Sequence, residues 1–233
     1  MSIHELAIEQ TNANPCELSP EQLQAISPEA IEQLQSSVSL GLMVVGHRAA
    51  GKGTFGTFMA DEGFLTGATS AALRTVIRQN GIEETPYNLM HYGHVLKDTY
   101  GPNVLTYLTC ADILHSQQPD RRHNILLDGP RTIEEVRGFR AILPENHLVV
   151  AITSDPQSIW YRHEQRRRQT GRVDFQSYQD YLDHIQGDEY LRIEDLIQHH
   201  ADMAIDNSVD GAEGLAQLQQ RAHSLAARFG KIW

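Results

Sequence analysis

"MVVGHRAAGKGTFGTFM", residues 43–59, sets an apolar run against a glycine-rich turn and then continues with helical period. The turn reads Gly46, four residues, Gly51, Lys52, Gly53, Thr54. Glycines let a backbone turn sharply and aim successive N–H groups inward. A helix that follows adds the positive end of its dipole, and a lysine at this spacing reaches terminal phosphates. No proline or acidic residue interrupts the stretch, so nothing in it opposes an anion. The spacing predicts a phosphate cradle made of Gly46, His47, Arg48, Ala49, Ala50, Gly51, Lys52, Gly53 and Thr54. A glycine-rich hairpin is the competing reading, and the lysine and the flanking pattern oppose it.

Working outward, apolar runs of strand length stand at 40–45, 63–67, 124–128, 147–153 and 202–206, separated by amphipathic stretches. Helical period is read at 52–62, 70–80, 86–99, 102–115, 132–141, 155–169, 175–198 and 211–229. Strands that alternate with helices and are apolar on both faces predict a parallel sheet covered on both sides. The fold class is therefore α/β, a three-layer sandwich with about five parallel strands. Between the second and third runs lie three helical segments, more than one crossover needs, and residues 82–116 are read as a helical insertion gripping a substrate at the carboxyl ends of the strands. Residues 1–37 are rich in Gln, Glu, Ser and Pro and form a separate N-terminal helical extension ahead of the 38–233 domain. Two Ser-Pro-Glu runs, at 19–21 and 27–29, are helix starts: serine as N-cap, proline at the first helical position, glutamate in the first turn.

The 233 residues suit one sizeable core. No window approaches the roughly 18 uninterrupted apolar residues of a membrane span, and the first residues lack the basic and apolar regions of a secretory signal. A cytoplasmic protein without a membrane partner is expected. Cys16 and Cys110 lie in unlike surroundings without a CxxC, which points to two reduced thiols. The twelve histidines show no HExxH pattern and are read as structural or surface residues. A formal net charge of −11 disfavours a nucleic-acid partner, since such binding draws on many Lys and Arg contacts. A homo-oligomer stays open.

The Gly-Lys-Gly-Thr ending of the loop, with Gly53 where Ser or Thr commonly holds magnesium and Thr54 next, resembles that of adenylate kinases. "ILLDGPRTIEE", 125–135, is similar to the adenylate kinase segment that ends a strand in Asp-Gly and runs through Pro-Arg-Thr, one residue shorter here between Gly129 and Pro130. It resembles still more the Asp-Gly-x-Arg then Glu-Val of a poorly characterised P-loop group related to dephospho-CoA kinases and deoxynucleoside monophosphate kinases: Asp128, Gly129, Pro130, Arg131, Glu135, Val136. The DxPLLxE-like element of dephospho-CoA kinases is absent. The resemblance, covering about 38–226, implies the P-loop nucleoside and deoxynucleoside monophosphate kinase superfamily, with ATP and Mg2+ as cofactors.

An aspartate ending a buried strand beside the loop can hold magnesium, and Asp128 with Thr54 is the expected metal pair; a simple Asp-Gly turn is the alternative. By resemblance Arg131 grips the acceptor phosphate, for which a guanidinium fork is suited. Arg74, with Arg78 a turn on, is the positional match for a further acceptor-binding arginine, against a solvated helix face. Tyr87, His91, Tyr92, His94 and Tyr107 could line a base pocket or simply pack the insertion. The basic run "YRHEQRRRQTGRVD" holds Arg162, Arg166, Arg167, Arg168 and Arg172 and resembles a short arginine lid over 162–174, with Arg166 and Arg172 favoured as its phosphate contacts and Gly171 as a hinge. Asn207 or Ser208 could touch the base, a turn or capping role being favoured. The implied activity is an ATP- and Mg-dependent phosphotransferase with Lys52, Arg131, Arg166 and Arg172 at the catalytic centre and a small nucleotide acceptor. Dephospho-CoA or another hydroxyl-bearing metabolite is the second acceptor class. A slow nucleotide hydrolase signalling through its N-terminal extension is the rival, though the Asn-Lys-x-Asp of a GTPase is absent. A phosphate-binding module without catalysis is the third reading.

Overall fold

The computed structural model describes residues 16–115, 122–171, 173 and 175–230. Two short helices, α1 (Pro20–Ala25) and α2 (Pro28–Ser37), lead into β1 (Val38–Val45), and α3 (Lys52–Asp61) follows. Then come β2 (Leu65–Ala68), α4 (Thr69–Gln79), α5 (Pro86–Tyr100), α6 (Val104–Leu114) and β3 (His123–Asp128). The chain continues through α7 (Ile133–Ile142), β4 (His147–Thr153), α8 (Pro156–Thr170), α9 (Tyr178–His184), α10 (Asp188–His199), β5 (Met203–Asp206) and α11 (Gly211–Gly230). Both Ser-Pro-Glu runs open helices as their chemistry requires. Ser19 and Ser27 accept the N–H groups of Gln22 and Ala30, with proline in the first turn of each.

The five strands form one parallel sheet in the order β2-β3-β1-β4-β5. From β1 the chain goes to the edge at β2, returns to β3 beside β1, and then crosses to β4 and β5 on the other side, so the connections reverse direction at β1. In open sheets of this kind ligands bind outside the carboxyl ends of the strands at that reversal. The sequence repeats the alternation of a central strand. Leu40, Leu42 and Val44 enter one core with Phe55 and Met59 of α3 and Leu218, Ala222 and Leu225 of α11. Met43 and Val45 enter the other with Val136 and Phe139 of α7 and Ile193 and Leu196 of α10. Each such apolar side chain contributes about 1.5–3 kcal/mol on burial, which is why both faces stay covered. This is the expected three-layer α/β sandwich.

A third cluster binds the helical insertion together: Ala72, Leu73, Val76, Tyr92, Leu96, Val104 and Leu108 pack with Cys16 and Leu18 from the N-terminal segment. That segment is also hydrogen-bonded there, Glu17 N–H to Asn80 Oδ1 (3.1 Å), Asn80 Nδ2 to Glu17 O (2.9 Å) and Leu18 N–H to the Tyr100 hydroxyl (3.3 Å). Residues 1–15 of the expected extension lie outside the described residues. Both cysteines are free and buried, and burial pushes the Cys110 thiol up to about 12.

One helix departs from expectation. The stretch 175–198, read as continuous, is α9 and α10, separated by three residues. Turns closed by Gln186 N–H to Asp183 O (3.2 Å) and Gly187 N–H to His184 O (3.0 Å) end α9, and Gly187 then takes extended backbone (φ −84°, ψ 160°) to restart the chain as α10. The apolar period runs across this break, which is why period alone conceals it.

Candidate phosphate-binding site

The loop 46–54 leaves the end of β1 and enters α3 through residues that only a small side chain tolerates. Gly46 has φ +145°, and a Cβ there would lie 2.3 Å from Ile152 O on the neighbouring strand. Gly51, the N-cap of α3, has φ +107°, and its Cβ would lie 2.3 Å from Asn207 Nδ2. Ala49 takes the left-handed conformation (φ 61°), the one non-glycine among the described residues to do so; such strain collects at functional sites. No side chain caps α3, so its first-turn N–H groups face the concavity of the loop.

Lys52 folds back over this loop. Its Nζ donates to Gly46 O and His47 O, both at 3.0 Å. Burial pushes its ammonium below the ordinary lysine range, and Arg131, Arg166 and Arg48 act in the same direction while Asp128 opposes them. Lys52 thus feels charges carried by the loop, the β3–α7 turn and α8.

Asp128 ends β3, beside β1 in register with Val44. Burial raises its carboxyl above the ordinary aspartate range, against the pull of Lys52 and Arg131, and its Oδ1 is buried with no hydrogen-bond partner. A buried carboxylate oxygen without a partner, at the strand end beside a phosphate loop, fits magnesium, which takes one or two protein oxygens and completes its shell with phosphate oxygens and water. Thr54 is exposed in the first turn of α3. Among the described residues no group of three or more His, Cys, Asp or Glu forms a cage, so the arrangement does not suit a self-contained metal centre.

The turn carrying Arg131 is fixed by Glu135, which is almost fully buried. Glu135 Oε2 accepts from Arg131 N–H (2.8 Å), Thr132 N–H (3.1 Å) and the Thr132 hydroxyl (3.2 Å), while Thr132 Oγ1 accepts from Glu135 N–H (3.3 Å). Glu135 Oε1 pairs with Lys97 of α5 at 3.1 Å, joining the helical insertion to the Arg131 turn. Thr-x-x-Glu is a capping box, a signal present in the sequence.

Of the arginines in the basic run from 162, Arg166 acts on the charge of Lys52, whereas Arg162 is a brace. Its guanidinium donates to Ala50 O (3.4 Å), Ser154 Oγ (3.3 Å), Asn207 O and Val209 O (3.2 Å), and pairs with Asp210 at 2.8 Å. Arg167 pairs with Glu164 at 3.5 Å, and Arg172 lies outside the described residues. Asn207 serves the loop itself, its Nδ2 donating to Ala50 O at 2.8 Å. Ser208 donates to Asp206 (2.6 Å) and accepts from Asp155 N–H (3.0 Å), a turn role. Neither brace was read from sequence, because a side chain reaching a carbonyl across the sheet leaves no local signature.

Arg74 is tied up in an ion pair. Its Nη1 donates to Glu84 Oε2 at 3.0 Å, and Arg78 takes the other oxygen of the same carboxylate at 2.8 Å. Tyr92 is core, Tyr107 packs at the edge of the sheet core, and Tyr87 stacks with His91 at 6.0 Å on the outside of α5. Near the loop, Thr69 at the start of α4 is buried and donates to Gly129 O at 3.1 Å.

Comparison with curated proteins returns several that carry the name UPF0200 protein. No family model matches the chain. A UPF0200 protein of Hyperthermus butylicus is 26% identical over 127 residues, 54% of this chain and 65% of that protein. One from Pyrococcus abyssi is 23% identical over 143 residues, 61% and 74%. One from Saccharolobus islandicus is 27% identical over 128 residues, 54% and 64%. The match thus spans just under two thirds of the first and third of these relatives. Among solved structures, a shikimate kinase from Bacteroides thetaiotaomicron has a TM-score of 0.49 at 14% identity, over 81% of this chain and 98% of that one. A gluconokinase from Sinorhizobium meliloti 1021 has a TM-score of 0.45 at 13% identity, over 82% and 96%. Among the described residues no helix is long and apolar enough to cross a membrane.

Proposed function

We propose that the chain is an ATP- and magnesium-dependent phosphotransferase whose acceptor is a small nucleotide-like molecule, a nucleoside or deoxynucleoside monophosphate standing first. The observation that carries this reading is the glycine turn between β1 and α3, where Lys52 Nζ donates to Gly46 O and His47 O at 3.0 Å and the partnerless buried Asp128 Oδ1 stands at the end of the neighbouring strand. Loop N–H groups and Lys52 hold the β- and γ-phosphates, Lys52 exchanging the carbonyls of Gly46 and His47 for phosphate oxygens. Asp128 and Thr54 would hold magnesium, which would supply neutralisation of phosphate charge when bound. Arg131, steadied through Glu135, places the acceptor phosphate in line, and Arg166 and Arg172 close over it from the lid. Catalysis is then positioning and electrostatic stabilisation without a covalent intermediate.

Arg74 can join the acceptor only by leaving Glu84, which keeps Arg78 as partner when it does. The test is ADP release from Mg-ATP without an acceptor and then against monophosphates, deoxymonophosphates and dephospho-CoA, with Lys52→Ala as blank. A many-fold rise with one acceptor, absent from the blank, is expected. Slow turnover indifferent to every acceptor would overturn the kinase reading and favour a nucleotide-hydrolysing regulator.

A further inference from the structure

The second residue of the phosphate loop has a partner that the proposed chemistry does not use. His47 is buried. Its Nε2 lies 2.6 Å from Glu194 Oε1, and its ring stacks on Tyr190 with centroids 3.7 Å apart and planes 12° from parallel. Glu194 and Tyr190 both belong to α10, whose Ile193 and Leu196 are in the sheet core. Glu194 is itself held, its Oε2 accepting from Gln198 Nε2 at 3.2 Å, and Tyr190 meets His184 of α9 edge-on at 6.3 Å. A hydrogen bond to a carboxylate, a stacked ring and a core-anchored helix thus converge on one loop side chain. The main chain of that residue is the hub of the loop, because His47 O accepts both Lys52 Nζ (3.0 Å) and Ala50 N–H (3.3 Å).

We propose that His47 is a positioning residue for the nucleotide: Glu194 and Tyr190 clamp its side chain to α10 and so hold the loop between Gly46 and Ala50 open to phosphate. Backbone constraint alone leaves this stretch under-determined. Gly46 is a flexible pivot and Ala49 sits in a disfavoured conformation, so a loop without an anchor would relax when empty. The anchor also lies beyond the lid in the chain, so seating α9 and α10 and shaping the loop become one event. The groups facing the ring are Glu194, Lys52, His184 and Tyr190; burial holds the ring below the ordinary histidine range while Glu194 pulls it up. The clamp therefore works with a neutral imidazole donating its Nε2 proton to Glu194. This inference rests on the phosphate-loop reading above.

The experiment measures the Kd of Mg-ATP by calorimetry, with kcat and the unfolding midpoint, for wild type, Lys52→Ala, Glu194→Ala and Glu194→Gln. Loss of a hydrogen bond to a charged group predicts a Kd about tenfold higher for Glu194→Ala, with kcat at saturating ATP nearly unchanged. Glu194→Gln, which still accepts from Nε2, is expected to stay within about threefold of wild type. An unchanged Kd in Glu194→Ala, with wild type binding and Lys52→Ala not, overturns the clamp and leaves the phosphate loop standing. If wild type does not bind Mg-ATP, or Lys52→Ala binds it equally, the phosphate-loop reading falls and the clamp with it. Should Glu194→Ala fail to fold, the ligand-free wild type carries the test: ring nitrogen chemical shifts must place the His47 proton on Nε2. The opposite tautomer overturns the proposal.

Discussion

Around the loop 46–54, geometry is set by glycines at Gly46 and Gly51 and a left-handed Ala49, and by side chains that reach in from elsewhere, Asn207 on Ala50 O, Arg162 on Asn207 O and Glu194 on the His47 ring. The helical insertion is fastened differently, by an apolar cluster and by charges shared in pairs, Lys97 with Glu135 and Arg74 and Arg78 with Glu84. A loop braced in this way presents the same donors before and after a ligand arrives. A segment fastened by ion pairs can exchange one partner for another, which under the proposed function suits the part that takes up and releases an acceptor.

The largest expected effect breaks the second mode of fastening. Glu135→Ala takes the buried carboxylate from the partly buried Lys97 ammonium and removes the acceptor of the Arg131 and Thr132 N–H groups. Loss of one partner of a buried pair costs about 3–5 kcal/mol. Denaturant unfolding should show a loss of that size, and one below about 1 kcal/mol would mean the pair is not a fastening.

Lys52→Ala attacks the first mode without touching the fold. Turnover should fall about 10²–10³-fold, the size typical of losing one electrostatic stabiliser. The unfolding midpoint should hold or rise, because burial already disfavours the ammonium. Gly51→Ala comes next. Its Cβ meets Asn207 Nδ2 at 2.3 Å with φ at +107°, a strain of about 1–3 kcal/mol, and Mg-ATP affinity should fall with stability.

The pH dependence sharpens the comparison further. Burial raises the Asp128 carboxyl above its ordinary 3.8, so the folded protein binds this proton more tightly than the unfolded chain. Sign follows directly: ionising Asp128 destabilises the ligand-free fold as pH rises through the raised value, yet only the ionised form can hold magnesium. Activity should therefore climb with pH along a limb displaced above ordinary carboxylates, and Asp128→Asn should abolish that limb together with magnesium dependence. The smallest effect belongs to Arg74→Ala. Its exposed pair with Glu84 adds little to stability, and acceptor KM should rise less than about fivefold with kcat unchanged.

Much of this architecture is legible in the chain. Apolar runs mark all five strands, and the Ser-Pro-Glu runs mark α1 and α2, because these signals act over a few residues. The loop is equally local: Gly46, Gly51 and Lys52 lie within one turn of chain, so their spacing carries their geometry. The capping box at Thr132 and Glu135 is local too, but its second oxygen and Lys97 meet only through the fold. His47 and Glu194 are 147 residues apart, and Arg162 reaches Ala50 across 112, distances over which one sequence holds no pattern. The break between α9 and α10 escapes for another reason, since the apolar stripe continues while the backbone does not.

The most direct measurement is a single-turnover reaction with ATP labelled at the γ-phosphate, run with a panel of small phosphorylated acceptors and followed by identification of the labelled product. The expected result is label on an organic phosphate from one class of acceptor, dependent on magnesium, Lys52 and Asp128. Label released only as inorganic phosphate, at a rate that no acceptor changes, would contradict it.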